Sequence, residues 1–222
     1  MTSAGMTNGL PGLLTAGRRI AIVDYGLGNV ANVRRALEFL GHRVGLTKEP
    51  DELRAADVLI LPGVGHFGDA MRKLEKDGLI PLLRKLKDEK PLVGICLGMQ
   101  LLFEQSEEGG ADGLGFIPGA ITRIETRLPV PHLGWNRLIS TDPRLEGQDM
   151  YFIHSYKAEP GPYTVATAEY GGEEVSAIVQ HGNLTGIQFH PEKSGDAGLL
   201  LLQRALTEGF KDPVINMKEA ER

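Results

Sequence analysis

The chain has 222 residues, 41% of them hydrophobic and 24% charged, with a formal net charge of −5. That length suits one domain with a sizeable core, and the scattered Lys and Arg form no basic patch for nucleic acid or an anionic membrane. One cysteine excludes an intrachain disulfide, the opening MTSAGMTNGLPGLLTAG lacks the pattern of an export signal, and no run approaches the roughly 18 apolar residues of a membrane span, so the expectation is a cytoplasmic protein.

Residues 1–18 read as a loose Gly/Thr/Ser-rich extension, 19–210 as one domain and 211–222 as a tail. RRIAIVDYG is an apolar run ending in glycine, the pattern of a buried strand. In NVANVRRALEFLG, Val30, Val33, Leu37 and Leu40 recur at helical spacing and Gly41 is a suitable terminator. HRVGLT is a second strand and ADVLILPGVG a third that also ends in glycines. DAMRKLEKDG and LIPLLRKLKDE read as helices, PLVGICLG as another buried strand, and LGMQLLFEQ as the helix after it. Strands alternating with helices imply a mostly parallel sheet covered on both faces, with ligands gathering at the carboxyl ends of its strands. Beyond residue 115, ITRIETR, RLISTD, DMYFIHSY, YTVATAEY, SAIVQHG and LTGIQFH are short strands, so the second half is expected to be largely antiparallel. GDAGLLLLQRALTEGF is a closing helix. The fold class is therefore α/β, three layers around a mostly parallel sheet with added antiparallel strands.

Cys96 falls where a strand turns abruptly into a helix, the geometry that lifts a nucleophile above a sheet. Gly94 and Gly98 lack the Cβ atoms that would crowd such a turn, and a helix start beside the sulfur favours the thiolate. A small buried hydrophobe is the alternative use of a lone cysteine at a strand end. Among six histidines, His190 in FHPE is the candidate base. In an extended chain, Glu192 lies on its side and could orient the imidazole. His154 in YFIHSY is the rival base, without a matching carboxylate, and His181 reads as a hairpin tip. No metal site is expected, since H-E-x-x-H is absent and one cysteine makes no zinc cluster.

GICLGMQ followed far downstream by FHPE resembles the class I glutamine amidotransferases. DYGLGN, PGVGHFGDAM, GLGFIPG, PHLGWN, YFIHSY and GIQFHPEKSG, in that order over about residues 19–208, are similar to the branch that forms the glutaminase subunits of imidazole glycerol phosphate synthase. The resemblance implies the flavodoxin-like fold of these amidotransferases. It also implies that Cys96 attacks the glutamine carboxamide, that His190 transfers protons and that Glu192 orients it. The oxyanion hole is then the backbone N–H of Leu97 with that of Val64 or Gly65, on a loop that in this family can leave the hole incomplete without the partner. Gln100 and Glu104 are implied to hold the amino-acid end of glutamine, at a spacing that fits one helical turn. Ser155 and Tyr156 are implied to bind through their backbone. Trp135, Asn136, Tyr151 and Lys193 are implied to face a (β/α)8 cyclase partner that receives the ammonia and makes imidazole glycerol phosphate and aminoimidazole carboxamide ribotide for histidine biosynthesis. A lone tryptophan is otherwise at home in a core. No cofactor is implied.

Two other readings stay open. GLGNVA after the first strand, with Glu49 roughly 20 residues on, matches a dinucleotide-binding fingerprint, although it leaves GICLG and HPE without a role. The triad itself does not separate this branch from glutaminases of other pathways.

Overall fold

A computed structural model describes residues 17–210. The proposed tail and all but the last two residues of the proposed extension lie outside them. Arg18, inside the expected extension, is tied down through its guanidinium to the Leu206 carbonyl at 2.7 Å.

The first half alternates as its periodicity predicts: β1 (Arg19–Val23), α1 (Val30–Phe39), β2 (Arg43–Thr47), α2 (Pro50–Ala55), β3 (Val58–Leu61), α3 (Phe67–Lys76), α4 (Leu79–Leu86) and β4 (Leu92–Ile95). In β3 and β4 every residue is buried, which is why both read as unbroken apolar runs. α2, one turn and a half with Pro50 at its start, went unseen in the sequence. α5 (Leu97–Gln100) is far shorter than the helix expected from LGMQLLFEQ, because the chain turns at Leu101 into β5 (Phe103–Ser106).

A second sheet follows: β6 (Ala111–Asp112), β7 (Ile117–Arg123) and, later, β10 (Tyr156–Ala158) join β5 in the order β10-β7-β5-β6. β8 (His132–Arg137) and β9 (Asp149–His154) form a separate antiparallel ribbon. The strand expected over RLISTD is displaced toward the N-terminus onto HLGWNR, leaving Ile139 only an isolated bridge to Thr167. β11 (Thr164–Tyr170), β12 (Glu173–His181) and β13 (Leu184–Ile187) complete the main sheet, whose order is β11-β12-β13-β4-β3-β1-β2. Its β11 and β12 are antiparallel additions, whereas β13 runs parallel to β4.

α6 (Gly195–Thr207) packs with α1 on one face of the main sheet, through Leu201, Leu202, Val33 and Leu37. Leu53, Met71, Leu74 and Leu83 from α2, α3 and α4 fill the other. The two cores make three α/β/α layers, and the carboxyl ends of β4 and β13 emerge side by side at the middle of the sheet.

Candidate active site

The register pairs Ile95 of β4 with Ile187 of β13, so the chain leaving each strand carries Cys96 and His190 to the same edge. Cys96 is the only non-glycine residue among those described with a positive φ, at φ 55° and ψ −115°. A side chain held in that sparsely populated region marks a turn over-determined by its surroundings. Gly98 shows what enforces it: a Cβ there would sit 1.8 Å from the Leu61 carbonyl oxygen, and one on Gly94 would sit 2.5 Å from the Gly98 oxygen. Strand, elbow and short helix pack too closely for any side chain at either position, as the flanking glycines suggested.

His190 is buried, and its Nδ1 lies 2.8 Å from Glu192 Oε1, a carboxylate whose side chain is 1% exposed. The contact arises differently from the extended path expected. His190 is extended, but Pro191–Lys193 form a 3-10 turn that folds Glu192 back under the ring. The turn is fixed by its neighbours: His190 N–H donates to the Tyr151 carbonyl at 2.9 Å, and Ser194 Oγ–H donates to the His190 carbonyl at 2.7 Å. Burial opposes a charge on His190, yet hydrogen bonding and charge from Cys96 and Glu192 outweigh it and push the imidazole up to about 10. That direction favours the protonated ring, held between a sulfur and a carboxylate, an arrangement able to pass a proton to and from a group bound at the sulfur.

His154 is excluded as the base by its own bonds. Its Nδ1–H donates to the Tyr156 carbonyl at 2.8 Å, its Nε2 faces His132 Nδ1 at 3.1 Å, and burial lowers it to about 3. His181 ends β12 at a turn, with Nδ1 3.2 Å from the Phe116 carbonyl.

A cavity of about 260 Å³ opens at this edge, room for a ligand the size of a free amino acid. Cys96, Leu97, Gln100, Ser155, Tyr156, His190, Val64 and Gly65 all line it. The glycine-rich loop carrying Val64 and Gly65 is anchored by the buried Tyr25, whose hydroxyl donates to the Pro62 carbonyl. Burial, with the nearby charge of Cys96, raises that phenol and keeps its proton in place. Val64 is 39% exposed, and Gly65 has φ 102°, a conformation that glycine adopts readily.

Glu104 does not join the cavity. Because α5 ends at Gln100, Glu104 falls on β5, exposed, with Oε2 accepting the Gly119 N–H at 2.9 Å. Glu108 lines the cavity instead, with Oε2 accepting the Phe67 N–H at 2.8 Å. The missed signal was the run of buried Leu101, Leu102 and Phe103, which fits a turn into a strand as well as a helix.

Of the residues expected to face a partner, three cluster. Trp135 is 57% exposed and packs edge-on against Tyr151 at 5.7 Å, and Lys193 Nζ lies 5.8 Å from the Tyr151 ring centre. Lys193 also lines the cavity mouth. Asn136 turns inward instead, its Oδ1 2.7 Å from His132 Nε2 and its Nδ2 donating to the Glu169 carbonyl at 2.6 Å. The GLGNVA turn places Asn29 on the cavity wall, and Glu49 is an exposed residue preceding α2. Among the described residues no cluster of His, Cys, Asp and Glu could hold a metal, and no helix is long and apolar enough to cross a membrane.

The solved structure of a glutamine amidotransferase superposes with a TM-score of 0.68 at 21% identity, over 84% of this chain and 97% of that one. The imidazole glycerol phosphate synthase subunit HisH of Staphylococcus aureus (strain bovine RF122 / ET3-1) is 54% identical over 86% of this chain and 98% of its own length. Its namesake from Staphylococcus saprophyticus is 54% identical over 87% of this chain and 96% of its own length. The family profile for glutamine amidotransferase class-I matches residues 21–206. With a nucleophile elbow, a paired His–Glu and that match over most of its length, the chain belongs to the class I glutamine amidotransferase family.

Proposed function

We propose that this chain is the glutaminase subunit of an imidazole glycerol phosphate synthase, hydrolysing L-glutamine and passing ammonia to a (β/α)8 cyclase. The observation that carries the chemistry is the convergence of Cys96 and the His190–Glu192 pair, 2.8 Å apart in that pair, at adjacent parallel strand ends. The pathway rests on relatives of that name at 54% identity.

In this reading the Cys96 sulfur attacks the carboxamide carbon, and the carbonyl oxygen becomes an oxyanion held by the Leu97 N–H and by that of Val64 or Gly65. His190 gives its Nε2 proton to the departing nitrogen, which leaves as ammonia, and a glutamyl thioester remains. Water then attacks the thioester while the same nitrogen takes its proton. The C–S bond breaks, glutamate leaves, and the sulfur and imidazolium are restored. Glu192 stays ionised throughout and holds Nδ1–H, so the ring keeps the tautomer that places Nε2 at the sulfur. Gln100 and Glu108 bind the amino-acid end of the substrate, and the backbone at Ser155 and Tyr156 completes that subsite.

Ammonia released into water is protonated and loses its nucleophilicity, which favours direct transfer to a docked synthase. The exposed Trp135, with Tyr151 and Lys193 at the cavity mouth, is the surface on which the cyclase would sit, and Asn136 supports that ribbon from behind. The one domain spans residues 19–210 and works in the cytoplasm without a cofactor. Glutamate release tests the mechanism: Cys96→Ser abolishes it, and Glu192→Gln lowers kcat by about 10² to 10⁴ while the fold is kept. Activity surviving in Cys96→Ser removes the cysteine from the reaction.

A further inference from the structure

On the cavity floor, elementary donor counting fixes which way two amides point. The Tyr156 carbonyl only accepts, so the Gln100 side-chain atom 2.9 Å from it is the nitrogen. That nitrogen is also 3.0 Å from the Gln188 side chain, which must therefore present its oxygen there. The Gln188 nitrogen is left facing Cys96 Sγ at 3.9 Å. His154 Nδ1–H donates to the same Tyr156 carbonyl at 2.8 Å, so the carbonyl from which the order starts is held from a second side. Gln188 itself is fully buried on the short run between β13 and His190, and its backbone N–H donates to the Ala177 carbonyl at 2.9 Å.

Both N–H groups of Gln100 are thus engaged by protein acceptors. Its Oε1 has no partner among the described residues and belongs to a side chain that lines the cavity. An oxygen fixed in that place recognises an N–H donor and disfavours a carboxylate. Glu108 adds a negative charge to the same wall.

We propose that Gln188 is a specificity-positioning residue: by accepting from Gln100 it locks the polarity of that amide, so the site demands an α-ammonium on the amide it hydrolyses. The inference rests on the glutaminase reading above and adds a residue to it. Without the Gln188 acceptor, Gln100 keeps one tie, and its freed N–H turns toward the cavity, where it opposes an ammonium group.

The test compares two substrates, L-glutamine and 4-carbamoylbutanoate, which carries the same carboxamide without the α-amine. kcat/KM for each is measured on the chain assembled with a barrel cyclase subunit. Gln188→Met removes the acceptor at similar volume and is expected to reduce the preference for glutamine about tenfold or more. Loss of the contact to sulfur affects both substrates alike, so the ratio isolates the effect on Gln100. Gln188→Glu keeps an acceptor facing Gln100 and retains the wild-type ratio even where overall activity falls. Equal loss for both substrates in Gln188→Met, or a lost preference in Gln188→Glu, overturns the inference. If Gln188→Met does not fold, the ratio in Gln188→Glu decides alone. A wild-type complex that releases no glutamate refutes the glutaminase reading instead.

Discussion

At the scale of single residues, the site depends on a few side chains whose surroundings leave them one conformation. The legible part was the placement of Cys96 on a tight elbow and of Glu192 against His190. Glycines on either side of Cys96 and a carboxylate two positions after His190 are local patterns, and local patterns survive without knowledge of the fold. Glu104 falls outside the cavity for an equally physical reason. Its spacing from Gln100 has meaning only on a continuous helix, and the chain leaves that helix at Leu101. Glu108 reaches the cavity because β5 and the turn after it carry the chain back toward α3. Glu108→Gln is therefore expected to raise KM for glutamine about tenfold or more with a smaller change in kcat, whereas Glu104→Gln leaves both near wild type. Steady-state kinetics on the two variants separates them, and the reverse order would return Glu104 to the site.

At the scale of elements, strands buried on both faces and the longer amphipathic helices were readable because periodicity and burial coincide in them. α3 and α4 fall on the two sides of the break at Gly78, which adopts a left-handed conformation there. Two short elements were not readable. α2 has a single buried side chain, Leu53, and β8 buries only His132, whereas its partner β9, with three buried residues, falls within the strand expected over DMYFIHSY. The junction of β4 and α5 is the element on which the chemistry depends. Gly98→Ala puts a methyl group 1.8 Å from the Leu61 carbonyl oxygen, so backbone must move and stability is expected to fall by about 3 kcal/mol or more. Urea unfolding checks this, and a variant as stable as the wild type would show that the elbow is looser than its packing implies.

At the scale of the whole molecule, what sequence patterns do not contain is strand order. His190 reaches Cys96 because β13 lies beside β4 in the sheet, a pairing between segments far apart in the chain. Composition and periodicity indicate an α/β fold and its carboxyl edge; the adjacency was implied only by the family resemblance. The ribbon packed over that edge also buries His154, which sets an acid limit on the assembly. Burial holds folded His154 neutral down to about 3, whereas an unfolded histidine takes a proton near 6.5. Between those values the unfolded chain binds the extra proton, so stability declines as the pH falls through that window. His190 acts in the opposite sense: raised to about 10, it contributes fully below about pH 6.5 and loses that contribution as pH rises through 10. Comparing wild type with His154→Asn isolates the first effect. On going from pH 7.5 to 5 the wild type should lose about 2 kcal/mol more than the variant. Equal losses in urea titrations at the two pH values would show that His154 is protonated in the folded state.

The central claim is a glutaminase whose product passes to a synthase docked at the Trp135 surface. Its most direct test is glutamate release from glutamine by this chain alone and with a barrel cyclase subunit plus its ribotide substrate, with Cys96→Ser as the blank. The account predicts strong stimulation by the loaded barrel, lost in Cys96→Ser and weakened by Trp135→Ala. Equal rates with and without the barrel would contradict the coupling and leave a stand-alone glutaminase.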